Sequence, residues 1–221
     1  MKILITAATE QEFAPLKLKL NCYNNVAVVN RNSIRFSVTG VGINITSYRL
    51  TKLLLNEHFD LVLNIGIAGS FSDKIGIGET VVVESEVFAD WGVHTHNGFR
   101  TVFEENIIKN SLPFNANGEL YCKHIAPYFF LQNIEKVKAI TVNAASGEAY
   151  QINALQNKFN PDIESMEGAA FFYVCLMENI PFIEIRGISN KVEKRDKSQW
   201  NIPYAIKNLT NYTNAFLNNL L

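Results

Sequence analysis

The sequence predicts an α/β fold, a three-layer α/β/α sandwich around a mixed central β-sheet. Three observations carry that expectation. Short apolar runs at Lys2 to Ala7, Asp60 to Ile65, Glu79 to Phe88 and Pro181 to Ile188 have the length of buried strands. Segments with helical spacing of apolar residues lie between them. No repeat, low-complexity stretch or Pro/Gly-rich linker interrupts the 221 residues, so one domain over 1–221 is expected.

In chain order, Lys2 to Ala7 is the first strand, and Glu10 to Leu20 a helix interrupted near Pro15. Val26 to Val29 and Ile34 to Thr39 read as a hairpin. Gly40-Val41-Gly42 leads into a helix over Ile43 to Glu57, whose apolar face carries Ile43, Leu50, Leu53, Leu54 and Leu55. The strand Asp60 to Ile65 meets a turn at Gly66 to Ser70, and the valine-rich strand Glu79 to Phe88 follows. An irregular region carries Trp91, His94 and His96. Val137 to Val142 is a further strand, and Gly147 to Phe159 a helix that Pro161 cannot prolong. The helix Glu167 to Asn179 is strongly apolar, Pro181 to Ile188 is the last central strand, and Ile202 to Leu221 closes the chain as a helix.

Charge excludes whole classes of function. Lys and Arg number 20 against 21 Asp and Glu, the net charge is −1, and the basic residues are scattered, so neither nucleic acid nor a membrane surface is an expected partner. Cys22, Cys122 and Cys175 are far apart and form no Cys-x-x-Cys pair, which points to a reducing compartment. The first apolar run meets Glu10 and Glu12 too soon for a signal peptide or a membrane span, so a cytoplasmic location is expected.

In open α/β sheets ligands bind beyond the carboxyl ends of the strands. Here those ends carry Glu10 and Glu12, Gly40-Val41-Gly42, Asn64 to Ser70, and Ser189-Asn190. The glycines allow either close approach of a ligand or merely tight turns. Glu12 is a candidate general base, or a helix residue favoured by the dipole. Glu167 heads an apolar helix and suits a pair of ribose hydroxyls, or serves only as a terminal charge. Asn190 has the choice of a pocket or a turn cap, and Tyr150 has a ring that can stack on a base. His94 and His96 would share a strand face without a third ligand, so no metal is expected. Neither a dinucleotide fingerprint nor a phosphate loop is present, and no cofactor is expected. Arg195 and Lys197 lie in a polar stretch, a solvated loop or a lid.

Together Met1 to Glu12, Gly40-Val41-Gly42, Asn64 to Gly69, Ser146-Gly147-Glu148-Ala149-Tyr150, Ser165-Met166-Glu167 and Arg186-Gly187-Ile188-Ser189-Asn190 resemble the nucleoside phosphorylase and nucleosidase superfamily. Within it they resemble the methylthioadenosine/S-adenosylhomocysteine nucleosidases. The Ser189-Asn190 turn, followed by Glu193 to Asp196 and Trp200 to Pro203, is most similar to the futalosine hydrolases. The resemblance implies a cofactor-free enzyme that releases hypoxanthine from futalosine in a route to menaquinone. It implies that Glu12 activates water, Glu167 grips the ribose, Met166 lies beside the sugar and Tyr150 stacks on the purine. Gln151 then meets the base edge, with Ala68 and Gly69 lining its pocket. Ile67 replaces a serine near the ribosyl site, and Asn190 replaces an aspartic acid that protonates adenine. An amide can hydrogen-bond a 6-oxopurine but delivers no proton, so hypoxanthine is the expected base.

Asn64 stands where related phosphorylases carry arginine, and carboxylates near the sugar repel phosphate, so hydrolysis is expected over phosphorolysis. Arg195, Lys197 or Arg100 is the expected partner of the substrate's distant carboxylate. The rival expectations are a methylthioadenosine/S-adenosylhomocysteine nucleosidase, a 6-oxopurine nucleoside phosphorylase and a non-catalytic purine-binding protein. Relatives in this superfamily form dimers or larger assemblies, and a homodimer or larger homo-oligomer is expected.

Overall fold

A computed structural model describes residues 1–109, 111–125 and 128–220. Strand β1 (Lys2–Ala7) leads into α1 (Glu10–Lys19), the hairpin β2 (Val26–Val29) and β3 (Asn32–Val38), α2 (Ile43–Asn56), β4 (Leu61–Ser70) and β5 (Thr80–Phe88). Then follow a ribbon of β6 (Gly92–Thr95) and β7 (Gly98–Thr101), the short β8 (Leu120–Tyr121), β9 (Lys136–Thr141) and α3 (Ala149–Phe159). The chain ends with β10 (Ile163–Ser165), α4 (Gly168–Met177), β11 (Phe182–Lys191) and α5 (Ile202–Asn218).

The sheet is mixed, as its sequence pattern predicts. Strands β3, β1, β4 and β11 run parallel in that order. β5 joins β11 antiparallel, and β9 and β10 continue parallel to β5. β10 also pairs antiparallel with β4, placing Ile163 opposite Ser70 and Glu164 opposite Gly69. The sheet therefore curls until β4, β11, β5, β9 and β10 close a ring. Helices α1 and α5 pack together against β11 and β4, while α2 and α4 pair and α4 lies against β9 and β5. These helix pairs form the outer layers. Because α4 is covered by strands and by α2, it is apolar all round, with Ala169 to Phe172, Val174 and Cys175 buried. Phe171 and Phe172 meet Phe182 of β11 edge-on, with centroids 5.6 and 4.8 Å away.

Several elements differ from expectation. α1 runs through Pro15 without interruption. The bond that Pro15 cannot make is to the carbonyl of exposed Gln11, where water can replace it. Gly66 to Ser70 is no turn but the end of β4, because β11 and β10 offer ladder partners on both sides. His94 lies on β6 and His96 in the turn that follows, so they do not share a strand face, and no group of three metal-ligating side chains forms among the described residues. The last helix stops at Asn218, and Leu221 lies outside the described residues. No helix among the described residues is long and apolar enough to cross a membrane.

Phe182→Ala is expected to lower the unfolding free energy by about 3–5 kcal/mol, since its ring is buried against two others. Urea denaturation measures this; a loss under about 1 kcal/mol would mean that the cluster does not hold α4 to the sheet.

Candidate active site

A cleft of about 310 Å³ opens where β1, β4 and β11 end and β10 crosses. Its walls include Thr9 and Glu12, Ile67 to Gly69, Ser146, Glu164 to Glu167, Ser189, Asn190 and Trp200. The crevice beyond the strand ends is thus where the α/β pattern places it.

Glu12 is in the first turn of α1 and is 7% exposed. Its Oε2 accepts from the backbone N–H of Thr9 at 2.8 Å and from the Thr9 hydroxyl at 3.0 Å, while Oε1 accepts from the Ile67 N–H at 3.1 Å. The Thr-x-x-Glu spacing that caps a helix therefore also aims this carboxylate at the end of β4. Glu167, immediately before α4, accepts the N–H of Gly42 at 3.0 Å through Oε1. Gly42 has φ of 89°, a left-handed conformation that glycine adopts without strain, and this turns its N–H toward the carboxylate. Burial raises the proton affinity of Glu167, with Arg186 and the Gly42 N–H opposing and Glu12 adding to it.

Beneath both carboxylates lies Arg186, 1% exposed on β11. Its Nε donates to Glu184 Oε1 at 2.8 Å, and Nη1 stands 3.9 Å from Glu167 Oε2. Burial works against its charge, but Glu184, Glu167 and Glu12 outweigh burial and hold the guanidinium above its ordinary range. A side chain at Gly66 would meet both Arg186 Nη1 and Glu12 Oε1, so any larger residue there displaces these two charged groups. Asn64 is buried too, donating to Glu184 Oε2 at 3.2 Å. Glu86 completes the layer, accepting from the Thr141 hydroxyl at 2.9 Å. Burial, then the charge of Glu184, push its carboxyl well above the ordinary carboxylate range and so favour its neutral form.

Asn190, next to last in β11, lies opposite Gly69. Ser189 donates its hydroxyl to Asn190 Oδ1 at 2.7 Å, and Asn190 Nδ2 donates to the carbonyl of Lys191 at 2.8 Å. These two bonds fix the amide's orientation and leave one N–H of Nδ2 unspent.

Residues 2–218 match the family model described as the phosphorylase superfamily. The chain belongs to that superfamily. Superfamily relatives include the futalosine hydrolase of Acidothermus cellulolyticus, 27% identical over 179 residues and covering 78% of this chain and 70% of the relative. The Thermus thermophilus futalosine hydrolase is 27% identical, covering 77% and 75%. The 5'-methylthioadenosine/S-adenosylhomocysteine nucleosidase of Maridesulfovibrio salexigens is 28% identical over 215 residues, covering 90% and 89%. A solved futalosine hydrolase mutant of Helicobacter pylori superposes with a TM-score of 0.81 at 16% identity, covering 100% of both chains. That likeness is one of phosphorylase-superfamily fold.

The cleft brings together Glu12, Ile67, Ala68, Gly69, Met166, Glu167 and Asn190. It does not include Tyr150 or Gln151. Both are exposed in the first turn of α3, Tyr150 at 84%, and stand outside the cleft wall. The ring lining the cleft is instead Trp200, which also packs under Arg195 with 5.4 Å from guanidinium to ring centroid. Of the basic candidates, Arg100 is paired with Glu105 and Lys197 lies exposed in a short 3₁₀ turn. Arg186, Glu184, Glu86 and Glu164 carried no assigned role. Glu184 and Arg186, opposite charges two apart in an otherwise apolar strand, were the visible signal, because such a pair shares one face. A second cavity of about 520 Å³, lined by Ile43, Phe88, Trp91, Phe114 and Tyr173, reaches the residue next to Gly42.

Glu86 keeps in the folded state a proton that the unfolded chain gives up above the ordinary value of 4.5, so stability falls as pH rises from there toward the folded value. Glu86→Gln has no proton to lose. It is expected to be more stable than the parent at neutral pH, with the gap closing in acid, as measured by urea denaturation across pH; parallel profiles would show that Glu86 does not hold the proton.

Proposed function

We propose that the chain hydrolyses the N-glycosidic bond of futalosine, releasing hypoxanthine and dehypoxanthinylfutalosine on a route to menaquinone. The observation that carries this reading is the presence of Glu12, Glu167 and Asn190 in one cleft, with Arg186 buried beneath. Glu12, oriented by three donors, aligns a water and takes its proton as the water attacks the anomeric carbon. Glu167 accepts from the ribose hydroxyls, and Met166 and Ile67 flank the sugar. The base lies along Ala68 and Gly69.

As the bond stretches, positive charge gathers on the ribosyl ring and negative charge on the purine. The carboxylates favour the first, and the spare N–H of Asn190 favours the second at N7 or O6. An amide stabilises a departing 6-oxopurine without protonating it, which supports hypoxanthine over adenine. Water is favoured over phosphate because Arg186 is below the floor and bonded to Glu184, while two carboxylates face the nucleophile. The alternative, a methylthioadenosine/S-adenosylhomocysteine nucleosidase, has the longer alignment in its favour and Asn190 against it.

A homodimer is part of this reading. Ile45, Tyr48 and Leu55 form an exposed apolar stripe on α2, extended by Val41 and by Met177 of α4. Sedimentation velocity should return twice the chain mass, and a monomer at micromolar concentration would remove the dimer.

Futalosine, inosine and methylthioadenosine, each incubated without phosphate, test the reaction by chromatography of the released base. Hypoxanthine from futalosine is the expected product, and Glu12→Gln should lower kcat by about 10²–10³. Adenine from methylthioadenosine with futalosine untouched would sink the proposal.

A further inference from the structure

Thr141 and Ser165 take no part in the chemistry above, although both bond to the helix that Glu167 begins. We propose that they are positioning residues for Glu167: their hydroxyls cap α4 in place of its own N-cap side chain, and so hold the Glu167 carboxylate in the cleft. The proposal rests on the reading of Glu167 as the acceptor of the ribose hydroxyls and deepens it to the groups that keep that acceptor available.

Glu167 is the N-cap residue of α4. A helix leaves its first N–H groups without partners of its own, and an N-cap side chain ordinarily folds back to accept from the second or third of them. The positive end of the helix draws a carboxylate the same way. Glu167 makes no such bond. Its Oε1 accepts from the Gly42 N–H at 3.0 Å, and its Oε2 stands 3.9 Å from Arg186 Nη1, so the carboxylate points away from the helix it heads. Two hydroxyls serve the helix instead. The N–H of Gly168, the first helical residue, donates to Ser165 Oγ at 3.1 Å, and the N–H of Ala169, the second, donates to Thr141 Oγ1 at 2.7 Å. Thr141 thus takes a donor that a cap side chain would otherwise claim.

The sheet supplies both hydroxyls. Thr141 ends β9 and Ser165 ends β10, parallel neighbours in register, and their oxygens lie 3.5 Å apart. Both residues are buried. Thr141 donates its proton to Glu86 Oε2 at 2.9 Å, which leaves its lone pairs for the helix. Gly168 permits the close approach, because a Cβ there would run into the Oε1 atoms of Glu86 and Glu184. Without the Thr141 hydroxyl the Ala169 N–H would be buried with no acceptor, a costly state. Glu167, at the N-cap, is the side chain placed to relieve it by turning away from Gly42.

A residue that merely stabilised the fold would also cost activity when changed, so the test needs two readouts. The first is the amide proton of Gly42 in an NMR spectrum of the labelled protein, which reports the bond to Glu167 without any substrate. In Thr141→Val and Ser165→Ala it should move upfield, toward its position in Glu167→Ala. Thr141→Ser keeps the hydroxyl and should restore the parent position; Ser165→Ala carries the test if Thr141→Val fails to fold. The second is kcat/KM for futalosine in a double-mutant cycle. Thr141→Val should lower it about 10–100-fold in the parent, the range of a hydrogen bond to a charged group, and by no more than about twofold in the Glu167→Ala background. An unmoved Gly42 resonance, or an equal change of rate in both backgrounds, would overturn the proposal. A parent inert on futalosine whose Gly42 resonance still moves in the variants would instead overturn the hydrolytic reading and leave the positioning of Glu167 standing.

Discussion

The guanidinium of Arg186 lies among Glu184, Glu167 and Glu12 with almost no access to water, and the arrangement of the cleft depends on it. Carboxylates confined this closely repel one another, and a cation fixed between them offsets that repulsion. Burying that cation is itself expensive. The cost is offset because Glu184 takes its Nε and the carboxylates of the cleft supply the remaining field. The neighbouring backbone conforms to this cluster. Gly66 leaves room for the guanidinium and for Glu12, and Gly168 leaves room for the Oε1 atoms of Glu86 and Glu184. Burial and the charge of Glu184 favour the neutral form of Glu86, so it competes less for the field of Arg186.

Curling of the sheet is the second constraint. An open sheet would leave β10 far from β4, but the antiparallel pairing of Ile163 and Glu164 with Ser70 and Gly69 brings the two together. The segment Glu164 to Glu167 then faces the ends of β1 and β11 across one small space. Local chemistry and topology meet there: the strand that closes the ring leads directly into the apolar helix α4, with Glu167 immediately before its first turn. Packing of Phe171 and Phe172 on Phe182 ties that helix to β11, the strand bearing Arg186 and Asn190. A change in the core is thereby felt in the spacing of the charged groups.

Much of this was legible in the amino-acid sequence because it rests on local pattern. Apolar runs of strand length and helical spacing in 43–57 and 202–221 are short-range signals that the structure keeps to within a few residues of their ends. The strand ends that carry Glu12, Gly69 and Asn190 were visible for the same reason, since parallel strands aim their carboxyl ends at one edge. What the tertiary structure decided was everything that depends on partners distant in sequence. Gly66 to Ser70 reads as a turn by composition and becomes strand because β10 and β11 flank it. Glu167 and Glu12 lie far from Glu184 and Arg186 in sequence, and only the closed sheet gathers them around one guanidinium. Tyr150 sits in a motif that promises a stacking ring, yet the first turn of α3 turns it outward, and Trp200, some fifty residues later, lines the cleft. Propensity and period act over a few residues, whereas burial and charge compensation are properties of the closed sheet.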